Sequence, residues 1–230
     1  MSHEGAETKA RVTTRAAERM TDDVFAKYVS YFPGVIEGGR PFTDKMNTLF
    51  PASRSKSTFF GKVHEIPRDQ VVVFFDHEEA SDAKGTSSPL TYSYSKHDVP
   101  VVANFDELER IRQQVQSLTG VVYNFVLINR YKDGKDGVGW HADDERQIDQ
   151  EKPIASVSFG GSRKFDLRLT KSPQVKTRFQ LSHGDLTIMH PGCQTHCQHQ
   201  VPKQANAQPR LNLTFRVLKP STQLKRKRDD

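Results

Sequence analysis

Three residues of this chain could hold one metal ion between them. His141 and Asp143 are separated by a single residue directly after the glycine-rich turn DGKDGVGW, and His199 follows 58 positions beyond His141, just before Val201-Pro202. On an extended chain alternate side chains point to the same face, so His141 and Asp143 can clasp one ion. A distant His on a neighbouring strand completes a facial triad of two His and one carboxylate. That ligand set leaves open positions on Fe(II) for a bidentate cosubstrate and for dioxygen. The His-x-Asp pattern alone is common. The segment Cys193, His196, Cys197 and His199 also admits a zinc reading, but its spacing is tighter than in ordinary structural pairs and no second ligand pair lies nearby.

The segment RLNLTFR adds a second element of chemistry. Arg210, Asn212, Thr214 and Arg216 face one side, and Leu211, Leu213 and Phe215 the other. If the apolar side is core, two guanidiniums and an amide point into the interior of a barrel. Buried arginines are costly unless paired. A dicarboxylate ligand would pair them, because Arg binds carboxylate through two parallel hydrogen bonds. Asn129 and Tyr131 share one face of NFVLINRY with Phe125 and Leu127 in the same way. The bland alternative is an exposed strand face with ordinary surface arginines.

The elements that must position these groups are mostly strands. After Val121, six β-rich runs alternate with turns (VVYNFVLINRY, PIASVSFG, KFDLRLT, KTRFQLS, GDLTIMH, RLNLTFRVL) and no helix lies between them. That pattern indicates an antiparallel sandwich or barrel. Upstream, FDELERIRQQVQSLTG reads as a helix with Leu108, Ile111, Val115 and Leu118 on one face and Gly120 as its stop. Residues 21–35 read as a short helix ended by Pro33-Gly34, followed by an irregular stretch to about Ser57. Thr58–Val63, Val71–Phe75 and LTYSYS read as strands, and residues 76–89 as a surface loop.

With 230 residues the chain suits one domain with polar ends: a tail over residues 1–20, a folded unit over 21–218 and a basic tail over 219–230. No apolar run reaches the length of a membrane span, so we expect a soluble protein. Cys193 and Cys197 are the only cysteines, which excludes a disulfide framework and favours a reducing compartment. A net charge of +6 favours a polyanionic partner only weakly.

Taken together, INRY, HxD, SVSFG, QHxVPK and PRxNLTFR resemble the AlkB family of nucleic-acid dealkylating dioxygenases, most of all its nuclear branch acting on alkylated DNA. The resemblance covers about Thr21 to Leu218. It implies a mainly β, α+β fold: a double-stranded β-helix (jelly-roll) core with N-terminal helices and a nucleotide-recognition lid over about 55–100. It implies Fe(II) on His141, Asp143 and His199, and 2-oxoglutarate on Asn129, Tyr131, Arg210, Asn212 and Arg216. Glu145 matches the acidic residue that reads the target base, and Tyr92 and Tyr94 match the aromatics of its pocket. Phe60, Gly61 and Lys62 resemble a hairpin that probes duplex DNA, with Phe60 as the wedge. Phe59 is aromatic where a relative in that branch has Val, and the 76–89 loop is longer.

The implied reaction couples oxidation of 2-oxoglutarate by dioxygen to hydroxylation of an N-methyl carbon. The product then sheds formaldehyde, and the base must first be flipped out of the stack. The resemblance implies a monomer acting in the nucleus on alkylated DNA, duplex as well as single-stranded, with lesions of the 1-methyladenine and 3-methylcytosine type. Its alternatives are an RNA demethylase of the same family, a protein or small-molecule hydroxylase on the same fold, and a catalytically silent nucleic-acid binder. Phe59 and Phe60 could be core aromatics instead, Trp140 a packing or substrate residue, and LKRKRDD an import signal or a solvated end.

Overall fold

The computed structural model describes residues 23–59, 62–75, 90–94, 97–220 and 225–226. The N-terminal part contributes a helical turn α1 (Asp23–Ala26), strand β1 (Val29–Phe32), helix α2 (Arg40–Leu49), the paired strands β2 (Lys56–Phe59) and β3 (Lys62–Glu65), and β4 (Asp69–Phe74). Strands β5 (Leu90–Tyr94) and β6 (His97–Pro100) precede helix α3 (Asp106–Thr119). Next come β7 (Phe125–Tyr131), β8 (Val138–His141), β9 (Ile154–Gly160), β10 (Arg163–Leu169), β11 (Lys176–Leu181) and β12 (Leu186–Met189). One turn of helix, α4 (Cys193–His196), leads into β13 (Cys197–Val201), followed by β14 (Arg210–Arg216) and the short β15 (Lys225–Arg226). No helix among the described residues is long and apolar enough to cross a membrane.

The strands build a jelly roll from a six-stranded sheet, β1-β12-β9-β14-β7-β4, and a four-stranded sheet, β11-β10-β13-β8. Every pairing within them is antiparallel. Alternation along β14 decides which side chains go where. Leu211, Leu213 and Phe215 lie on the outer face of the large sheet, where they pack with Val126, Ile128 and Val157 against Phe42 and Met46 of α2 and Leu108, Ile111 and Val115 of α3. On the inner face Phe125 and Leu127 meet Phe165, Leu167, Phe179 and Val201 of the small sheet. The large sheet is therefore buried on both faces, and the polar row of β14 lies in the interior with its arginines.

Helix α3 follows the sequence expectation. Its apolar face is buried, and Gly120 ends it at φ 70°, its N–H donating to the Gln116 carbonyl. The left-handed conformation explains the glycine. Three expectations need correction. Thr58–Val63, read as one strand, is split between two antiparallel strands, with Thr58 paired to Val63 and Phe59 to Lys62. The segment read as one helix over 21–35 is helical only over Asp23–Ala26, and Val29–Phe32 pairs with Leu186–Met189 as an edge strand. A sheet edge offers Val29 burial and backbone partners that a lone short helix cannot. The stretch read as irregular contains α2, whose Phe42 and Met46 are one turn apart and fully covered.

The site is bracketed by two smaller sheets. Strands β2 and β3 form a hairpin whose turn residues, Phe60 and Gly61, lie outside the described residues. Just before it, Arg54 donates from both terminal nitrogens to Asp136 (2.6 and 2.7 Å), tying this segment to the turn before β8. Strands β5 and β6 form the second sheet with β15, and Val102 N–H bonds to the Val72 carbonyl (2.9 Å), joining it to β4.

The turn leading to β8 leaves no room for a side chain. A Cβ on Gly134 would collide with the backbone carbonyl of Gln204. Gly134→Ala should therefore cost about 1–3 kcal/mol or more, read as a lower thermal midpoint. An unchanged midpoint would mean that this turn is not held against residues 204–207.

Candidate active site

Two strands of the small sheet bring the cluster together. His141 ends β8 and His199 lies in β13, and the two are paired in register. Their ring centroids stand 4.2 Å apart. Asp143, two residues past the end of β8, has Oδ1 3.8 Å from His141 Nε2. Ligand atoms of all three residues lie within 4.8 Å of one another, and no other such cluster occurs among the described residues. Cys193 and Cys197 are buried free thiols outside it, and His196 is exposed and stacks on Tyr28 (5.5 Å). The zinc reading therefore fails.

The protonation states suit a metal. Burial, the largest single influence, would raise the Asp143 carboxyl, but the charge and hydrogen bond of Arg216 together with the neighbouring His199 and His141 outweigh it and hold the group well below the usual carboxylate range. The Arg216 guanidinium donates to Asp143 Oδ2 at 2.6 Å, leaving the buried Oδ1 without a hydrogen bond. Burial lowers His141, and takes His199 down to about 3 with a further push from His141. Both imidazoles are thus neutral near pH 7, as ligands must be. His141 Nδ1 lies 2.8 Å from the Gly139 carbonyl, which favours the tautomer with Nε2 free for an ion. His199 Nδ1 is buried with no partner. A lone carboxylate oxygen and two neutral imidazoles on one point fit a divalent ion.

Above the cluster lies the polar row of β14. Register pairs Arg210 with Tyr131 and Asn212 with Asn129, so these four side chains line one cavity together with His141, Asp143 and His199. Arg210 is 2% exposed, and burial pushes it down to about 10. Nη2 donates to Ser158 Oγ (2.8 Å), but Nε and Nη1 are buried without a hydrogen bond of normal geometry. Arg163, equally buried, offers the contrast: its terminal nitrogens donate to the carbonyls of Asp133, Asp136 and Pro202. One arginine staples loops together, and the other lines the cavity. Asn129 is held by Arg68 Nε and Gln70 Nε2 (3.0 Å each), and Asn212 donates to Ser156 Oγ (2.8 Å).

On the β5 side of the cluster, Tyr92 packs between Phe74 (5.8 Å) and Phe125 (5.0 Å). Burial, with a contribution from Glu145, pushes its phenol up to about 12, so it remains a donor. Burial and the nearby Asp143 raise Glu145, whose Oε2 is buried and unpartnered. Tyr94 and Lys62 lie in strands β5 and β3.

Sequence reasoning missed several residues here. Arg68 and Thr214 line the cavity. Thr214 was reachable by alternation from Arg210, whereas nothing in the sequence marked Arg68. Gln194 also went unnoticed: its Oε1 accepts the Asp143 N–H (2.9 Å), fixing the backbone of a cluster residue. Trp140 lies under the Arg168 guanidinium (4.2 Å) and lines a separate surface pocket with Asp166 and Arg178 rather than the cavity that holds the cluster. His183 bonds to Gly160 and Gly38, and His190 to Ser30, so both are structural.

Residues 30–216 match the 2OG-Fe(II) oxygenase superfamily. The chain belongs to that superfamily, whose cofactors are Fe(II) and 2-oxoglutarate, and within it to the AlkB family. It is 39% identical over 180 residues to the DNA oxidative demethylase ALKBH2 of Mus musculus, covering 75% of this chain and 70% of the relative. The Homo sapiens protein of that name is 40% identical over 183 residues, 76% of this chain and 66% of its own length. The alpha-ketoglutarate-dependent dioxygenase alkB homolog 3 of Mus musculus is 36% identical over 144 residues, 59% of this chain and 48% of the relative. The solved structure of OsALKBH1 shares the fold, with a TM-score of 0.54 at 15% identity over 82% of this chain and 96% of that one.

Proposed function

We propose that residues 21–218 form an oxygenase that repairs N-alkylated bases in DNA, acting as a monomer in the nucleus, with lesions of the 1-methyladenine and 3-methylcytosine type as substrates. The observation that carries the reading is the shared cavity: a His-Asp-His cluster and a buried, half-partnered Arg210 open into the same space. In it His141, Asp143 and His199 would hold Fe(II), and Arg210, Asn129, Tyr131, Asn212 and Arg216 would bind 2-oxoglutarate. With dioxygen, the loaded centre supplies an oxidant able to hydroxylate an alkyl carbon. The remaining steps belong to the chain. Arg210 takes the distal carboxylate by a charge-assisted pair. Leu127, Phe165, Met189 and Val201 line the cavity and exclude water. Arg216 keeps Asp143 ionised and oriented. The Tyr92 phenol can donate to the edge of a flipped base, and the Glu145 carboxyl can hydrogen-bond to it. The identity to ALKBH2 relatives supports DNA as the polymer, and the run of four cations after Leu224 suits nuclear import.

The test is mass spectrometry of methylated oligonucleotides, DNA and RNA, single- and double-stranded, after incubation with Fe(II) and 2-oxoglutarate. Loss of the methyl group from DNA is expected. Succinate release with no demethylated base in any oligonucleotide would sink the nucleic-acid reading. Phe60, outside the described residues, supplies a sharper version. Opening a duplex costs a few kcal/mol, and an inserted ring recovers roughly 1–3 kcal/mol per base by stacking. Phe60→Ala should therefore lose far more activity on duplex than on single strands. Equal losses would reduce Phe60 to a core aromatic.

A further inference from the structure

Asp143 is the one residue of the cluster that no strand carries. His141 ends β8 and His199 lies within β13, so strand pairing fixes both of their backbones. Two residues past β8 that pairing has stopped. Asp143 is nevertheless 2% exposed, and its peptide groups need partners in the interior. Two glutamines from different segments supply them. The Asp143 N–H donates to Gln194 Oε1 (2.9 Å), which lies in α4, and Gln150 Nε2 donates to the Asp143 carbonyl (3.1 Å). Gln194 is itself buried, and its Nε2 meets the sulfur of Met189 (3.4 Å) at the wall of the cavity. A thioether is a weak acceptor, so the stronger contact of this buried amide is the one to Asp143. The same bonds close a loop. Residues 143–150 carry Asp143 at one end and Gln150 at the other, with Glu145 between them, and Ile148 N–H bonds to the Glu145 carbonyl (2.9 Å).

We propose that Gln194 and Gln150 are positioning residues that clamp the Asp143 peptide and so set the angle at which its carboxylate meets the metal. This rests on the placement of Fe(II) on His141, Asp143 and His199 and adds to it the support that a ligand outside the sheet requires. Arg216 holds one oxygen of the side chain, Oδ2, at 2.6 Å. The glutamines hold the backbone from which that side chain hangs. An ion with three protein ligands tolerates little drift in any one of them, and groups that orient a ligand act on metal affinity through it.

The test compares the full-length parent with Gln194→Met, Gln194→Glu and Gln150→Leu, using Co(II) as the probe ion. Affinity is read by competition of each metal-free protein against a chromophoric chelator, and site geometry by the visible ligand-field absorption of the Co(II) form. Methionine keeps the length and bulk of Gln without its amide oxygen, whereas glutamic acid keeps an acceptor at the same reach. Gln194→Met and Gln150→Leu should each bind Co(II) about 10-fold or more weaker and shift the visible bands. Gln194→Glu should recover most of the affinity and the parent bands. Because Gln150 is only half-buried, Gln150→Leu still gives a measurement if Gln194→Met fails to fold. Parent affinity and bands in a folded variant, whatever its thermal midpoint, overturn that glutamine's role and leave the metal site in place. A Gln194→Glu protein as weak as Gln194→Met overturns the acceptor role of Gln194. A parent that binds no Co(II), or binds it equally well after Asp143→Ala, overturns both the clamp and the metal site.

Discussion

Alanine at His141, Asp143 or His199 should bring 2-oxoglutarate turnover to background and strip Fe(II) from the protein. Each change removes one of only three protein ligands. The loss in metal affinity should therefore exceed the roughly 10–100-fold that follows loss of a group merely supporting a ligand. The three variants should differ in stability. Asp143 is the 2.6 Å partner of Arg216, and both side chains are almost wholly buried. Breaking a buried pair from one side costs about 3–5 kcal/mol, so Asp143→Ala should also lower the thermal midpoint, by roughly 2–4 °C per kcal/mol in a chain of this size. His199→Ala deprives no charged partner and should melt nearer the parent. His196→Ala should keep most activity, since that ring is exposed and stacks on Tyr28. An essential His196 with a dispensable His199 would show the distal ligand to be misassigned.

Arg210→Ala should raise the concentration of 2-oxoglutarate needed for half-maximal rate by about 30-fold or more. The reason is the partner it would abandon. Truncating one member of a buried, hydrogen-bonded charge pair costs about 2–5 kcal/mol, and each 1.4 kcal/mol is about tenfold. Metal content should not change, because Arg210 contacts Ser158 and Tyr131 rather than any residue of the cluster. Arg210→Lys should recover only part of the loss, since an ammonium cannot reproduce the two-pronged geometry of guanidinium with carboxylate. A variant with normal 2-oxoglutarate dependence would mean that the dicarboxylate binds elsewhere.

Much of this architecture was legible beforehand, for local reasons. Period-two alternation in RLNLTFR and NFVLINRY identified which residues share the inner face, and register in the sheet agrees at Arg210–Tyr131 and Asn212–Asn129. Helix α3 was readable because its apolar face and its stop at Gly120 are both short-range signals. Among the strands not read as such are β8 and β13, which carry His141 and His199. They are short, and the metal-facing positions interrupt their apolar pattern with His. Chemistry at those positions hides the periodicity that would announce the strand.

By itself, then, the sequence determined the ligand types, their spacing and the polar row of β14, because residue identity and alternation act over a few positions. The tertiary structure decided what depends on approach in space. It set His141 against His199 across β8 and β13, and placed Arg216 on Asp143 across 73 positions of sequence. It recruited Arg68 and Gln194, turned Val29–Phe32 from helix to edge strand, and paired Lys225–Arg226 with β5. Each of these is a pairing of distant segments. Burial and backbone hydrogen bonding favour it only once the sheets have closed, so no local pattern records it.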